Sequence, residues 1–312
     1  MTPARLDIAQ PHCMRTATFV AAFLAVALLP VAEASADTLD RVRQTGKLTL
    51  GFRADARPFS YQDESGKPAG YSVELCRKVA EDVKAEVGLP GLTEEWVSVT
   101  LEGRFRALQE GRVDLLCGAD SETLARRKDV AFSIPIFPSG IGAVLRRDAP
   151  AGLREVLSGE PASGPTWRGS PARVLEKKTI SVVKGTTSEI WLAAQFDKLQ
   201  IPASVAPVDS YEAGISRVLD FSSDVFFGDR PILLDAAVGN PRGSYLVVLD
   251  RLFTSEPLAL TLSRNDEDFR LAVDRALSRL FRSSEFHDVY MKWFGEPDDS
   301  ALTFFRQTAL PE

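Results

Sequence analysis

The sequence predicts an α/β fold of mostly parallel strands with helices on both faces, and three observations carry it. Short β-rich apolar runs alternate with stretches of helical period over 47–145, and the alternation resumes over 179–238. That spacing is the one strand–helix–strand units need to lay parallel strands in one sheet. A length of 312 residues, 45% apolar and 26% charged, suits one large or two medium folded lobes and not a disordered chain.

Taken in order, KLTLGF at 47–52 reads as the first strand. A turn-rich PFSYQDESGKP follows, and then a helix over 71–87 with Val73, Leu75, Val79 and Val83 near helical spacing. Residues 96–99 read as a second strand, 104–110 as a helix closed by Gly111, and 113–117 as a third strand. Beyond a Gly-containing turn, a short polar helix is expected from about Ser121, with a second apolar step at 130–132. After a strand at 141–145, residues 148–170 are rich in Gly, Pro and Ser, show neither period, and read as a surface excursion.

The second block has strands at 179–183, 204–208 and 224–227, with helices expected at 189–199, at 211–219 and after Pro231, a residue suited to a first helical turn. A last strand at 258–262 precedes an amphipathic helix with Phe269, Ala272, Val273, Ala276, Leu277 and Leu280 on one face. A helix carrying Tyr290, Trp293 and Phe294 then closes the core. There is no internal repeat.

The N-terminus reads as an export leader. Arg5 and Arg15 precede an apolar run over 17–31, and Ala34-Ser35-Ala36 is a small-residue cleavage site, so a mature chain is expected from Asp37. The run is shorter than the roughly 20 apolar residues of a membrane span, and no cysteine lies at the cleavage point to take a lipid. Met14 offers an alternative start. Losing Arg5, Asp7, Arg15 and Glu33 leaves the net charge of −6 unchanged, and an acidic chain argues against a nucleic-acid partner. The mature chain keeps one histidine, His287, and two cysteines, Cys76 and Cys117. Zinc sites built on His/Cys clusters are thereby nearly excluded, and no cofactor is expected. The two cysteines could pair in an exported protein, but the sequence leaves their separation open.

Ligands of such sheets lie at the carboxyl ends of strands, which here means 51–53, 100–104 and 118–121. The stretch 117–133 is the most informative: a turn with free backbone N–H groups, the Ser121 hydroxyl and the Arg126 guanidinium make a carboxylate clamp. A small acid, such as an amino acid, is the expected ligand.

Several ordered segments carry a family resemblance: LDRVRQTGKLTLGFR at 39–53, PFSYQDESGKPAGYSVEL at 58–75, RFRALQEGRVDLLCG at 104–118, ARRKDVAFS at 125–133, KGTTSE at 184–189 and KWFG at 292–295. Over nearly all of 37–297 the chain resembles bacterial periplasmic solute-binding proteins of polar amino-acid ABC importers, and within them the glutamate/aspartate-binding members. The resemblance implies a periplasmic-binding-protein type II fold: two α/β lobes joined by two crossing strands, closing on ligand by hinge motion. The crossings would fall near 136–140 and 253–258, with a discontinuous first lobe (37–137 plus 258–312) and a second at 138–257. It also implies a monomer that serves a membrane permease.

Residue by residue, Arg126 matches the family's clamp on the ligand α-carboxylate, against a plain ion pair with Glu122. Ser121 matches the hydroxyl that joins the clamp, with N-capping as the competing role. Asp229 matches the carboxylate that takes the α-ammonium, or else caps the helix after Pro231. Thr186 and Thr187 match the turn that completes carboxylate binding, again with capping as the alternative.

Arg53 and Arg104 match arginines placed on the ligand side chain. Two cations in one cleft call for an anion between them, which points to an acidic ligand, unless one pairs with Glu102 or Asp55. Leu101 and Ala119 stand where glutamate/aspartate binders have serines, and Tyr211 falls near their pocket histidine. Phe59 covers the ligand stem or is a core aromatic. A non-enzymatic carrier is the expectation. The alternative is a cleft enzyme such as a cyclohexadienyl dehydratase, for which Glu102 and Glu189 are the candidate acids.

Overall fold

A computed structural model of the protein describes residues 37–160 and 171–312. The expected leader and its cleavage site, and the 161–170 part of the expected excursion, lie outside the described residues.

Helix α1 (Thr38–Thr45) is capped by Asp37 and leads through Gly46 into β1 (Lys47–Phe52). A small antiparallel ribbon, β2 (Asp55–Ala56), β3 (Ser60–Gln62) and β4 (Pro68–Ala69), precedes α2 (Tyr71–Glu86). Then come β5 (Thr93–Ser98), α3 (Arg104–Gln109), β6 (Leu115–Ser121), a 3-10 turn (Arg126–Lys128) and β7 (Ala131–Phe137). The chain crosses at 138–140 into β8 (Ile141–Arg146), α4 (Ala151–Ser158), β9 (Thr179–Val183), α5 (Thr187–Leu199), β10 (Ser204–Val208), α6 (Tyr211–Leu219), β11 (Val225–Asp229), α7 (Arg230–Val238) and β12 (Leu246–Val248). It crosses back into β13 (Leu258–Leu262), α8 (Glu267–Arg282), α9 (Glu285–Phe294) and α10 (Asp299–Thr308). No helix among the described residues is long and apolar enough to cross a membrane.

Two five-stranded sheets result, one per lobe. The first has the order β5-β1-β6-β13-β7 and the second β10-β9-β11-β8-β12. In each, four strands run in one direction and the strand entered after a crossing runs against them: β13 lies between β6 and β7, and β8 between β11 and β12. The first sheet is therefore built from chain on both sides of the second. The crossings bond to each other, with Phe253 N–H donating to Ile141 O at 2.8 Å and Glu256 N–H to Ser139 O at 2.8 Å. Gly140 is required there, since a Cβ would come within 2.0 Å of Thr254 O.

The first lobe buries Leu48 and Leu50 of β1 against Val79 and Val83 of α2 and Phe269, Val273 and Leu277 of α8. Cys76 and Cys117 are joined in a disulfide that ties α2 to β6 across a Cα separation of 6.0 Å. The second lobe packs Ile180, Val182, Val225 and Phe227 beneath Leu153, Leu157 and Leu192.

Three expectations are corrected. The third strand does not stop at Cys117 in a helix-forming turn; β6 runs to Ser121, because Asp120 and Ser121 pair with Ala259 and Leu258 of β13. Part of the excursion is ordered: α4 buries Leu153 and Leu157, two apolar positions at i, i+4 that make too short a pattern to stand out from its Gly/Pro-rich surroundings. Helix α10, capped by Asp298 and anchored by the buried Phe305, was not anticipated.

Candidate functional site

The first lobe brings three guanidiniums around one carboxylate. Arg53 follows β1, Arg104 opens α3, Arg126 begins the 3-10 turn, and Asp120 lies near the end of β6. Arg104 Nε donates to Asp120 Oδ1 at 2.5 Å, with both side chains almost wholly buried. Thr261 on β13 donates its hydroxyl to Asp120 Oδ2 at 3.3 Å. Burial works against the Asp120 carboxylate, but Arg104, Arg126 and Arg53 outweigh it and hold its pKa below the ordinary value.

Arg53 Nε donates to Asp55 Oδ1 at 2.9 Å, and its Nη2 lies 2.7 Å from the same oxygen yet is buried without a hydrogen-bond partner. Arg126 donates from Nη1 to the Ser121 carbonyl at 2.8 Å. Burial pulls its pKa below the ordinary arginine value; Asp120 opposes that, Arg104 adds to it, and Asp229 and Glu256 oppose it. Phe105 lies under two of the cations, 4.0 Å from Arg104 and 5.5 Å from Arg126.

The second lobe answers with a carboxylate. Asp229 ends β11 and is buried. Its Oδ2 accepts from the Tyr211 hydroxyl at 3.0 Å, while Oδ1 is buried with no partner. Gly228 lets Tyr211 lie this close, because a Cβ there would sit 2.6 Å from its ring. Burial raises the Asp229 pKa to about 6; the Tyr211 hydrogen bond opposes the rise, Glu256 adds to it, and Arg126 and Arg53 oppose it. Burial also pushes the Tyr211 phenol well above its usual range. The lobes meet where the Ser121 hydroxyl lies 3.5 Å from that of Thr187, and Arg57 reaches Asp235 at 3.3 Å. Beside that pair a cavity of about 780 Å³ opens between Asp55, Arg57 and Tyr61 on one side and Tyr211, Ile232 and Asp235 on the other.

Arg53, Arg104, Ala119, Ser121 and Arg126 thus lie together on one lobe, with Thr187, Tyr211 and Asp229 on the other. Several competing roles are decided. Arg127, not Arg126, pairs with Glu122. Asp229 makes no side-chain cap on α7. Thr186 does cap α5, accepting from Glu189 N and donating to Val183 O, so its hydroxyl is spent within the lobe. Glu189, a candidate acid of the enzyme alternative, accepts from Gly185 N at 2.8 Å.

Phe59 is corrected as a cleft residue: fully buried, it packs against Tyr71, Phe137 and Phe294 in the first lobe's aromatic core. Also corrected is the inference that paired arginines demand an acidic ligand. Asp120 is the anion among them, and Asp55 takes part of Arg53. Asp120 went unremarked in the sequence, though an acid between Ala119 and Ser121, directly after an apolar strand, was the available signal. Glu256, whose Oε2 is also buried and unpartnered, had no such signal. Among the described residues, no group of three or more His, Cys, Asp or Glu is placed to hold a metal ion.

A profile of the bacterial extracellular solute-binding proteins, family 3, matches residues 48–296. The chain belongs to that family. It is 29% identical over 288 residues to the L-glutamate/L-aspartate-binding protein of Pseudomonas aeruginosa, covering 92% of this chain and 88% of that one. It is 25% identical over 266 residues to the glutamate/aspartate import solute-binding protein of Salmonella typhimurium, covering 85% and 82%. Among solved structures it resembles an ancestral amino acid-binding protein described as a precursor of cyclohexadienyl dehydratase, with 26% identity, a TM-score of 0.67 and coverage of 83% and 100%. The chain is thus a family 3 solute-binding protein, and these named relatives are amino-acid transport proteins.

Proposed function

We propose that the protein is the periplasmic binding component of an ABC importer and captures an α-amino acid of the glutamate/aspartate kind between its two lobes. The observation that carries this is the orphaned Asp229 Oδ1 on one lobe, electrostatically coupled to Arg126 on the other. An unpaired buried carboxylate is costly until a cation reaches it, and a guanidinium across the cleft is suited to an anion. One small molecule that carries both charges is an amino-acid zwitterion. Its α-carboxylate would take Arg126 and the Ser121–Thr187 meeting point, and its α-ammonium would take Asp229. Ala119 would contribute only its backbone. The side chain would extend toward Arg53, which shares its guanidinium with the half-exposed Asp55, and toward Tyr211.

The acidic preference is supported by the positive charge of Arg53 and by the names of the relatives above. A thermal-shift panel of the purified protein against the twenty amino acids tests it. Ligand at 100 times its Kd adds about 2.7 kcal/mol of stability, enough to separate binders from non-binders. Glutamate or aspartate is expected to respond most; a response only to neutral or basic amino acids overturns the acidic preference, and no response to any overturns the amino-acid assignment.

A further inference from the structure

Asp120 has no role in binding an amino acid as described above, yet it is a buried and doubly bonded charge in the cleft. It accepts from Arg104 at 2.5 Å and from Thr261 at 3.3 Å while 2% exposed. More of the Arg104 guanidinium is held within the first lobe: Nη1 donates to the Leu101 carbonyl, and the carbon of the guanidinium lies 4.0 Å over the Phe105 ring. Arg104 is therefore turned inward, whereas Arg53 is held by Asp55, a half-exposed carboxylate, 2.7 Å from its Nη2.

On the amino-acid reading above, we infer that Asp120 is a specificity-determining residue that withdraws Arg104 from the ligand and leaves Arg53 as the only guanidinium facing its side chain. Removing a buried carboxylate beside the pocket changes the local charge by one unit. A unit charge several ångströms away in a partly desolvated site separates an anionic from a neutral ligand by about tenfold or more. The present cleft therefore discriminates only modestly between a dicarboxylic amino acid and its ω-amide, which differ in charge and hardly in shape.

The test is isothermal titration calorimetry of glutamate and glutamine with wild type, Asp120→Asn and the double variant Arg104→Gln/Asp120→Asn. Asp120→Asn is expected to raise the glutamate-to-glutamine affinity ratio at least about tenfold. The double variant, in which a neutral pair replaces an ion pair, is expected to stay within about threefold of wild type. An unchanged ratio in Asp120→Asn, or an equal loss of both ligands, overturns the inference and leaves Asp120 a structural residue. Should Asp120→Asn not fold, the double variant still decides: a tenfold loss of glutamate preference would show that Arg104 serves the ligand directly. If wild type binds neither ligand, the glutamate/aspartate reading fails by itself. The charge argument is then read from sulfate, which should raise the melting temperature of Asp120→Asn but not of wild type or the double variant; no difference among the three overturns it.

Discussion

The two faces of the cleft treat charge in opposite ways. On the first lobe, Arg104 at the start of α3 is neutralised by Asp120 and Arg53 leans on Asp55, with the β6 strand that carries Asp120 fixed by its sheet and, at Cys117, by a disulfide. On the second lobe, Asp229 is buried with one oxygen satisfied by Tyr211 and the other by nothing. The first face has two of its three guanidiniums matched by carboxylates, with Arg126 left for the ligand; the second holds a carboxylate oxygen that nothing matches. Binding free energy is therefore expected to come disproportionately from the second lobe, where an ammonium relieves a desolvated carboxylate, and that asymmetry favours closure of the lobes over a ligand held on the first.

The sharpest way to break this contrast is Asp229→Asn. Removing one member of a buried charge pair costs about 3–5 kcal/mol, so affinity should fall by about two to four orders of magnitude in calorimetry. The ligand-free variant should melt higher than wild type, because it no longer buries an unpaired carboxylate. A variant that loses binding and also melts lower would place Asp229 among ordinary structural residues.

Breaking the first lobe's framework should do the reverse, lowering stability more than affinity. The Cys76–Cys117 crosslink spans a sequence separation of 41. In the loop-entropy account a crosslink of that span is worth about 4 kcal/mol, so Cys76→Ser/Cys117→Ser should melt about 8–15 °C lower in a thermal scan.

Titration sharpens the comparison further. Asp229 has a folded-state pKa of about 6 against an ordinary 3.8. The ammonium needs the ionised form, so affinity should be flat above about pH 7 and fall toward tenfold per pH unit below about pH 6, and Asp229→Asn should flatten the profile. The same raised pKa means that the ligand-free folded state binds the extra proton. This group's contribution to stability therefore rises as pH falls from about 6 toward 4 and is lost as pH climbs back, whereas Asp120, with its lowered pKa, contributes with the opposite sign.

The smallest effect belongs to the Arg57–Asp235 pair that bridges the lobes at 3.3 Å. Exposed pairs are worth about 0–1 kcal/mol, so Asp235→Asn should change affinity by no more than about fivefold, and less in high salt. A larger loss would mean that closure depends on this rim contact more than on the buried charges.

Much of the fold was legible in the sequence because its signals are local. The apolar period of α2 and α8, the alternation of strands and helices and the proline at the start of α7 need only neighbouring residues to be read. What escaped depends on partners distant in sequence. Only β13 shows that β6 continues through Asp120 and Ser121, and only the packing of α4 on the second sheet shows its two buried leucines to be anchors. The candidate site follows the same division. Arg126, Asp229 and the Thr186–Thr187 turn were visible as motifs, but which lone pairs and protons were already spent was not. Asp55 was among the alternatives foreseen as a partner for one of the two arginines, but Asp120 was not, and its ion pair with Arg104 removes the demand for an acidic ligand that two free cations would make.

The most direct test of the central claim is calorimetric comparison of the best-binding amino acid with its des-amino analogue, on wild type and on Asp229→Asn. If the zwitterion bridges the lobes, the analogue should bind wild type at least about a hundredfold more weakly, and the gap should collapse in the variant. An analogue that binds wild type as tightly as the amino acid would contradict the account, because the unpaired carboxylate of the second lobe would then have no ammonium to receive.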